Sequence, residues 1–185
     1  MKALDRYLQR KRIEQTIPFI KPGNEVLDIG SNYGELFDLY RKKRINISGI
    51  GIDPNISGDS NGNGFMLIKD YFPTPKLEKK NFDVIAMLAV LEHIPLINIP
   101  AFAKNCNEKL KPGGKLIITV PSKAVDHILN VLLFLGLIKG MELEQHYGYD
   151  TNMTKPLFEK EGFTLLLHKT FQIGLNNLFV FEKNS

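Results

Sequence analysis

Cysteine is nearly absent from this chain: among 185 residues there is one, Cys106. A single thiol excludes an internal disulfide framework and any thiolate zinc site, and it suits a reduced, cytoplasmic setting. Long hydrophobic runs are missing as well. The longest, Val131 to Ile138, falls far short of the roughly 20 residues a membrane-spanning helix needs, so no transmembrane segment is expected. The amino terminus, Met-Lys-Ala-Leu-Asp-Arg-Tyr, sets charges where a signal peptide needs an apolar core. A strong charge of one sign is also lacking: 24 Lys and Arg against 20 Asp and Glu leave a net +4. The basic residues gather in Arg10-Lys11-Arg12 and Arg41-Lys42-Lys43-Arg44. These read as solvated helix faces; no basic stripe runs the length of the chain, so there is no strong nucleic-acid signal. No His/Asp/Glu set has metal-ligand spacing, and no metal is expected. There is no Gly-Lys-Ser/Thr, which excludes a phosphate-binding P-loop.

What is present is ordinary for a folded enzyme-sized domain. A hydrophobic fraction of 43% and a charged fraction of 24% exclude disorder and collagen, and the length favours one domain over residues 1–185. Short β-type runs at Glu25–Ile29, Ile47–Asp53, Phe65–Lys69, Phe82–Leu88 and Lys115–Val120 are separated by helical or loop segments. Helices are expected over Leu4–Ile20, Glu35–Arg44, Ile97–Leu110, Ser122–Ile138 and Thr151–Lys160. Residues 57–64, almost all Ser, Gly, Asp and Asn, signal a loop, and Lys111-Pro112-Gly113-Gly114 a turn. That alternation predicts βαβ units and a parallel sheet. Two last strands, Phe163–Phe171 and Leu178–Glu182, have only Gln172–Asn177 between them and form an antiparallel hairpin. In such a sheet, ligands bind at the carboxyl ends of the strands.

The first βα connection, Asp28-Ile29-Gly30-Ser31-Asn32-Tyr33-Gly34, carries the chemistry. A dinucleotide fingerprint needs glycine at 30, 32 and 35; the chain has Gly30, Asn32 and Glu35. Glu35 also stands in the first helical turn, where a pyrophosphate would have to sit, and would repel it. An NAD-dependent oxidoreductase is therefore disfavoured. The charge suits a ligand with an ammonium and a sulfonium, S-adenosyl-L-methionine. Gly30 and Gly34 let backbone approach it, and Asn32 adopts left-handed backbone at lower cost than most residues. Asp53, 25 residues after Asp28, stands where a carboxylate accepts bonds from ribose hydroxyls.

Four pieces in order resemble the class I S-adenosylmethionine-dependent methyltransferases: Val26–Gly34, Gly51–Asn55, Phe82–Ile94 and Leu110–Pro121, with Gly162-Phe163 near the end. The resemblance implies a Rossmann-like, mostly parallel α/β sheet of seven strands with helices on both faces and an antiparallel last strand. It further implies that Asp28 and Gly30 lie by the methionine part of the cofactor, Asp53 by the ribose, Asp70 and Tyr71 by the adenine, and that Leu88 or Ala89 lends backbone beside it. The chain departs from the family at Asn32, which replaces the middle glycine, and at 57–64, where a loop stands in place of a helix.

Two histidines are candidates on the acceptor side. His93, after the fourth strand beside Glu92, is either a base or acceptor ligand, or part of a structural turn. His146, with Tyr147 and Tyr149, either faces the acceptor or lies in a surface loop. His127 and His168 have no partner suggested by spacing. Residues 125–141 carry more apolar surface than one core-facing stripe uses. They read as a core or dimer-contact helix, or as an apolar wall for a hydrophobic acceptor. The expected function is methyl transfer to a small or lipid-like acceptor; the alternative is a cofactor-binding module of the same fold without transfer.

Overall fold

The computed structural model describes residues 3–62, 64–78, 80–122 and 149–184. Among the described residues eight strands form one sheet: β1 Glu25–Ile29, β2 Ser48–Ile52, β3 Ser60–Gly62, β4 Phe65–Ile68, β5 Phe82–Leu88, β6 Leu110–Pro121, β7 Phe163–Phe171 and β8 Asn176–Lys183. Their order is β3-β4-β2-β1-β5-β6-β8-β7. The central pairs β4–β2, β2–β1, β1–β5 and β5–β6 are parallel. β8 runs antiparallel to both β6 and β7.

The mostly parallel sheet and the terminal hairpin follow the sequence. The strand count does not. Instead of seven strands there are eight, because the Ser/Gly/Asn segment read as loop contributes β3. Its three residues pair antiparallel with β4 as an exposed edge. A stretch poor in apolar residues still joins a sheet when the chain reverses directly into a buried neighbour that offers its ladder. Lys111–Gly114 differs too. It lies within β6, and the register there jumps from Phe82↔Leu110 to Val84↔Lys115, so the expected turn is a bulge inside a strand.

Among the described residues four helices flank the sheet: α1 Ala3–Glu14, α2 Glu35–Lys42, α3 Ile99–Lys109 and α4 Thr154–Lys160. Alternation along the strands divides the core in two. Val26, Val84, Ala86 and Ile117 pack with Ile13, Leu36, Phe37 and Tyr40 on the α1–α2 side. Leu27, Ile29, Met87, Leu116 and Ile118 pack with Phe102, Cys106 and Phe158 on the α3–α4 side. Both faces are therefore covered, as a parallel sheet requires. α1 stops at Glu14, short of the expected Ile20, and turns follow. There the Thr16 hydroxyl shares a 2.8 Å hydrogen bond with the Tyr40 hydroxyl. Burial of Tyr40 raises its pKa to about 12, so the ring remains a neutral donor.

Cys106 is wholly buried, and burial pushes its thiol far above the ordinary range; it serves as a small core residue. No helix among the described residues is long and apolar enough to cross a membrane. The expected helix after Pro121, the apolar segment 125–141, His127, His146 and Tyr147 lie outside the described residues.

Candidate functional site

Asp28 is the penultimate residue of β1, and alternation puts its side chain on the α1–α2 side with Val26. The chain then makes a tight reversal. Gly30 and Ser31 both donate their amides to the carbonyl of Ile52 at the end of β2, at 2.8 and 3.2 Å. Gly30 has φ +74, and a Cβ there would overlap Val90 Cγ2. Both the backbone and the space require glycine. Gly34, at φ +87, caps α2, and a Cβ would come within 2.6 Å of the Phe65 ring. Asn32 between them takes φ 47. Asn32 thus takes the left-handed backbone expected of it, and the two glycines are required by their own backbone and by Val90 and Phe65.

Asp53 follows β2 and is 8% exposed. One carboxylate oxygen accepts from the Asn32 amide at 2.9 Å, the other from the Asn55 amide at 2.8 Å. Asp53 thus ties the first loop to the second, a role not foreseen from spacing. Each of its oxygens retains a lone pair for a further donor.

The structure adds Glu35 to this group. Its Oε1 accepts from the Asn32 side-chain amide at 2.9 Å, whereas Oε2 is buried with no hydrogen-bond partner. Burial raises the Glu35 pKa and the charges of Asp38 and Asp53 add to it, opposed by the amides of Glu35 and Tyr33. Asp28 is raised well above the carboxylate range, by burial first and then by the charges of Glu35 and Asp53. The site is thus a turn with three neighbouring carboxyl groups. Among the described residues none of the three forms an ion pair. No group of three His, Cys, Asp or Glu there is placed to hold a metal ion. Such a site attracts an organic cation and repels phosphate.

Comparison with known proteins agrees with this geometry. A family model described as a methyltransferase domain matches residues 2–168. The chain belongs to the methyltransferase-domain family.

A curated relative, the human mitochondrial ubiquinone biosynthesis O-methyltransferase, is 31% identical over 131 residues, 62% of this chain. The match spans 34% of that protein, so the chain corresponds to about a third of the relative's length. Among solved structures, the complex between the Haloferax volcanii Trm112 methyltransferase activator and its methyltransferase matches with a TM-score of 0.73. That match has 11% identity and covers 95% of this chain and 88% of the other. The mycolic acid cyclopropane synthase CmaA1, complexed with SAH and CTAB, matches at a TM-score of 0.65 with 13% identity, over 95% of this chain and 84% of that one. At such identities the structures share the fold.

The remaining site candidates of this methyltransferase domain spread along the carboxyl edge of the sheet. Leu88 ends β5 and is half-buried. Ala89 takes φ 59 and donates its amide to Thr119 of β6 at 2.9 Å. Next come Leu91, Glu92 and His93 in a single 3-10 turn; Glu92 is 4% exposed and His93 half-buried. Asp70 stands after β4 and is occupied by its own loop. Its oxygens accept from the Thr74 hydroxyl at 2.7 Å and the Tyr71 amide at 2.9 Å, and these bonds lower its pKa. The Tyr71 ring is 74% exposed beside it.

Tyr149 is placed otherwise than expected. Read as part of a segment that either faces the acceptor or lies in a surface loop, it lies in the α3–α4 core, 6% exposed, and its hydroxyl donates to Thr154 at 2.8 Å. That bond anchors the start of α4. His168, to which spacing assigned no partner, stacks on Phe179 with centroids 4.2 Å apart and meets the Asn177 side chain at 3.1 Å. Only the folded hairpin brings those residues together.

Proposed function

We propose that this chain is an S-adenosyl-L-methionine-dependent methyltransferase that acts on a small or lipid-like acceptor. The observation that carries the reading is the turn after β1, in which Asp28, Glu35 and Asp53 approach one another with no cation of the protein's own among the described residues. The donor set fits this cofactor, which brings an ammonium and a sulfonium and has no phosphate. It does not fit a dinucleotide, whose pyrophosphate would face Glu35 at the start of α2. When bound, the cofactor supplies a methyl group on a cationic sulfur, activated for in-line displacement.

The chain's own residues bind and orient. Gly30, Asn32 and Gly34 shape the backbone of the cradle. Asp53, its carboxylate oriented by two amides, offers its remaining lone pairs to ribose hydroxyls. Leu88 and Ala89 lend backbone from β5, and Asp70 with Tyr71 closes the adenine side. On the acceptor side, His93 in the turn after β5 takes the proton of an acceptor hydroxyl. His146 is a second base candidate. Holding nucleophile and methyl group in line can remove about 7–11 kcal/mol of the barrier to such a displacement.

The names of similar proteins support the choice of acceptor: an O-methyltransferase of ubiquinone biosynthesis and a mycolic acid cyclopropane synthase complexed with SAH and CTAB. Isothermal calorimetry with S-adenosylhomocysteine and with NAD tests the cofactor, and mass spectrometry of reactions with phenolic and lipid-like acceptors tests transfer. Micromolar S-adenosylhomocysteine binding with a mass gain of one methyl group on an acceptor is expected. Tight NAD binding overturns the reading. Cofactor binding without turnover on any acceptor favours a binding module of the same fold.

A further inference from the structure

We infer that the acceptor side of the site's rim docks on a phospholipid bilayer that contains anionic lipids, with Ile97 and Ile173 inserted into it. The inference goes beyond methyl transfer; only its choice of occupant, a lipid surface, rests on the lipid-like acceptor proposed above.

The exposed apolar side chains are unevenly distributed. Among the described residues eight large ones are exposed, and six of them stand at the carboxyl edge of the sheet, where the turn after β1 opens. Tyr33 and Tyr71 follow β1 and β4, on the cofactor side. Leu96 and Ile97 follow β5, Ile173 tops the β7–β8 hairpin, and Tyr7 lies on α1 beside that hairpin. The other two, Met153 and Leu166, stand just before α4 and in the middle of β7. The opposite, amino edge has none of the eight; there α2 ends at exposed Lys42, followed by exposed Lys43 and Arg44.

Ile173 carries the argument furthest. It is 101% exposed, so it buries nothing in the fold, and at φ 58 its β-branched side chain stands on left-handed backbone, an unfavourable arrangement for such a residue. The turn is nevertheless held firmly. The Leu175 amide donates to the Gln172 carbonyl at 3.2 Å, the Ser122 hydroxyl to the Gly174 carbonyl at 2.7 Å and the Gln172 side-chain amide to the Leu8 carbonyl at 3.3 Å. The tip is thus tied to the end of β6 and to α1, and it projects its isoleucine from a fixed base. Ile97 is 86% exposed in the 3-10 turn before α3, on the other side of β6 in the strand order. Such side chains are stabilised only when an apolar phase receives them.

Spacing and charge select the occupant. The interface of a protein partner has a close-packed apolar centre; these side chains project singly, on either side of β6. A bilayer receives single insertions, and a tyrosine such as Tyr7 suits the headgroup level. α1 carries Arg6, Arg10, Lys11 and Arg12 against Asp5 and Glu14, four basic residues less two acidic, a net +2. Lys11 stands over the Tyr7 ring at 5.7 Å. Cations at that level attract anionic headgroups. Docking there turns the mouth of the site toward the bilayer, so that an acceptor dissolved in lipid enters without crossing water.

The test is cosedimentation, without cofactor, with vesicles of phosphatidylcholine alone and of phosphatidylcholine and phosphatidylglycerol in equal parts. Wild type should bind the mixed vesicles, and phosphatidylcholine alone more weakly. Ile97→Asp/Ile173→Asp should bind the mixed vesicles roughly tenfold more weakly or worse, because two apolar anchors are lost and two like charges face the surface. Lys42→Glu/Lys43→Glu, at the amino edge, should stay within a factor of about three, because the attraction falls off within a Debye length. Ile173→Asn, which suits left-handed backbone, should lose part of the binding and melt no lower than wild type. Calorimetry with S-adenosylhomocysteine should give every variant the wild-type affinity, which separates this surface from the cofactor site. Wild-type binding that is absent, or equal on both vesicles, overturns the inference. So does undiminished binding by the double isoleucine variant, or an equal loss in the amino-edge variant. A dimer that the isoleucine changes dissociate in sedimentation velocity also overturns it, since the rim then meets a second copy. Failure of the wild type to bind S-adenosylhomocysteine sinks the methyltransferase reading, and vesicle binding still decides this one.

Discussion

Asp53→Ala separates cofactor chemistry from loop architecture. In the sequence Asp53 is a strand-end acid with a ligand role. In the structure its two oxygens accept from Asn32 and Asn55, at 2.9 and 2.8 Å. Truncation strands the Asn32 amide in a half-buried loop, whereas exposed Asn55 turns to water. A hydrogen bond to a charged group contributes about 1.5–3 kcal/mol and the exposed one less, so together the loss is about 2–4 kcal/mol. Relief of repulsion from Glu35 offsets part of that. At this chain length a net loss of about 2–3 kcal/mol lowers the melting temperature by roughly 4–12 °C. Asp53→Asn retains one acceptor oxygen and should lose about half as much. Thermal melts followed by circular dichroism measure the first effect, and S-adenosylhomocysteine calorimetry the second. The variant should bind at least tenfold more weakly, since ribose bonds of about 1.5–3 kcal/mol are lost as well. A melting temperature within a degree of wild type, together with unchanged affinity, would refute the argument that Asp53 joins the two loops.

Two further outcomes follow from the same site. Gly30→Ala forces a side chain into left-handed backbone, at about 1–2 kcal/mol, and into Val90 Cγ2; chemical denaturation should show a loss larger than that figure. A loss below 1 kcal/mol would mean that Val90 moves freely. Asp28 has a raised pKa in the fold, so the unfolded chain releases its proton at lower pH than the native one. Ligand-free stability is therefore undiminished below the unfolded pKa, about 4, and declines as pH rises toward the folded one. Asp28→Asn should remove that decline, so the variant gains on wild type with rising pH. A stability difference independent of pH above about 4 would show that Asp28 is not the buried acid described.

The sequence by itself determined the order of elements and the place of the site. Asp28 to Gly34 reads as a turn because two glycines and an asparagine permit left-handed backbone at fixed offsets, a local property that survives in any tertiary setting. The alternation of apolar runs and helical segments fixed a mostly parallel sheet, since such strands need crossovers and both faces covered. The hairpin of the last strands followed from a connection too short for a crossover.

Tertiary structure decided what depends on partners distant in the chain. β3 exists because β4 offers it a ladder, not because Ser60-Asn61-Gly62 favours a strand. Tyr149 lies in the core because Thr154 and the α3–α4 packing hold it there. Asp70 accepts from the Thr74 hydroxyl and the Tyr71 amide, partners that its place after a strand did not indicate. The sequence also read Glu35 only as an obstacle to phosphate. In the fold it joins the loop itself: its Oε1 accepts from the Asn32 side-chain amide, and burial raises its pKa. Residue types and spacing place a cluster of acids at the end of β1; only the packed structure buries Asp28 and Asp53 and latches Glu35 to Asn32, because burial and side-chain partners are set by the whole fold.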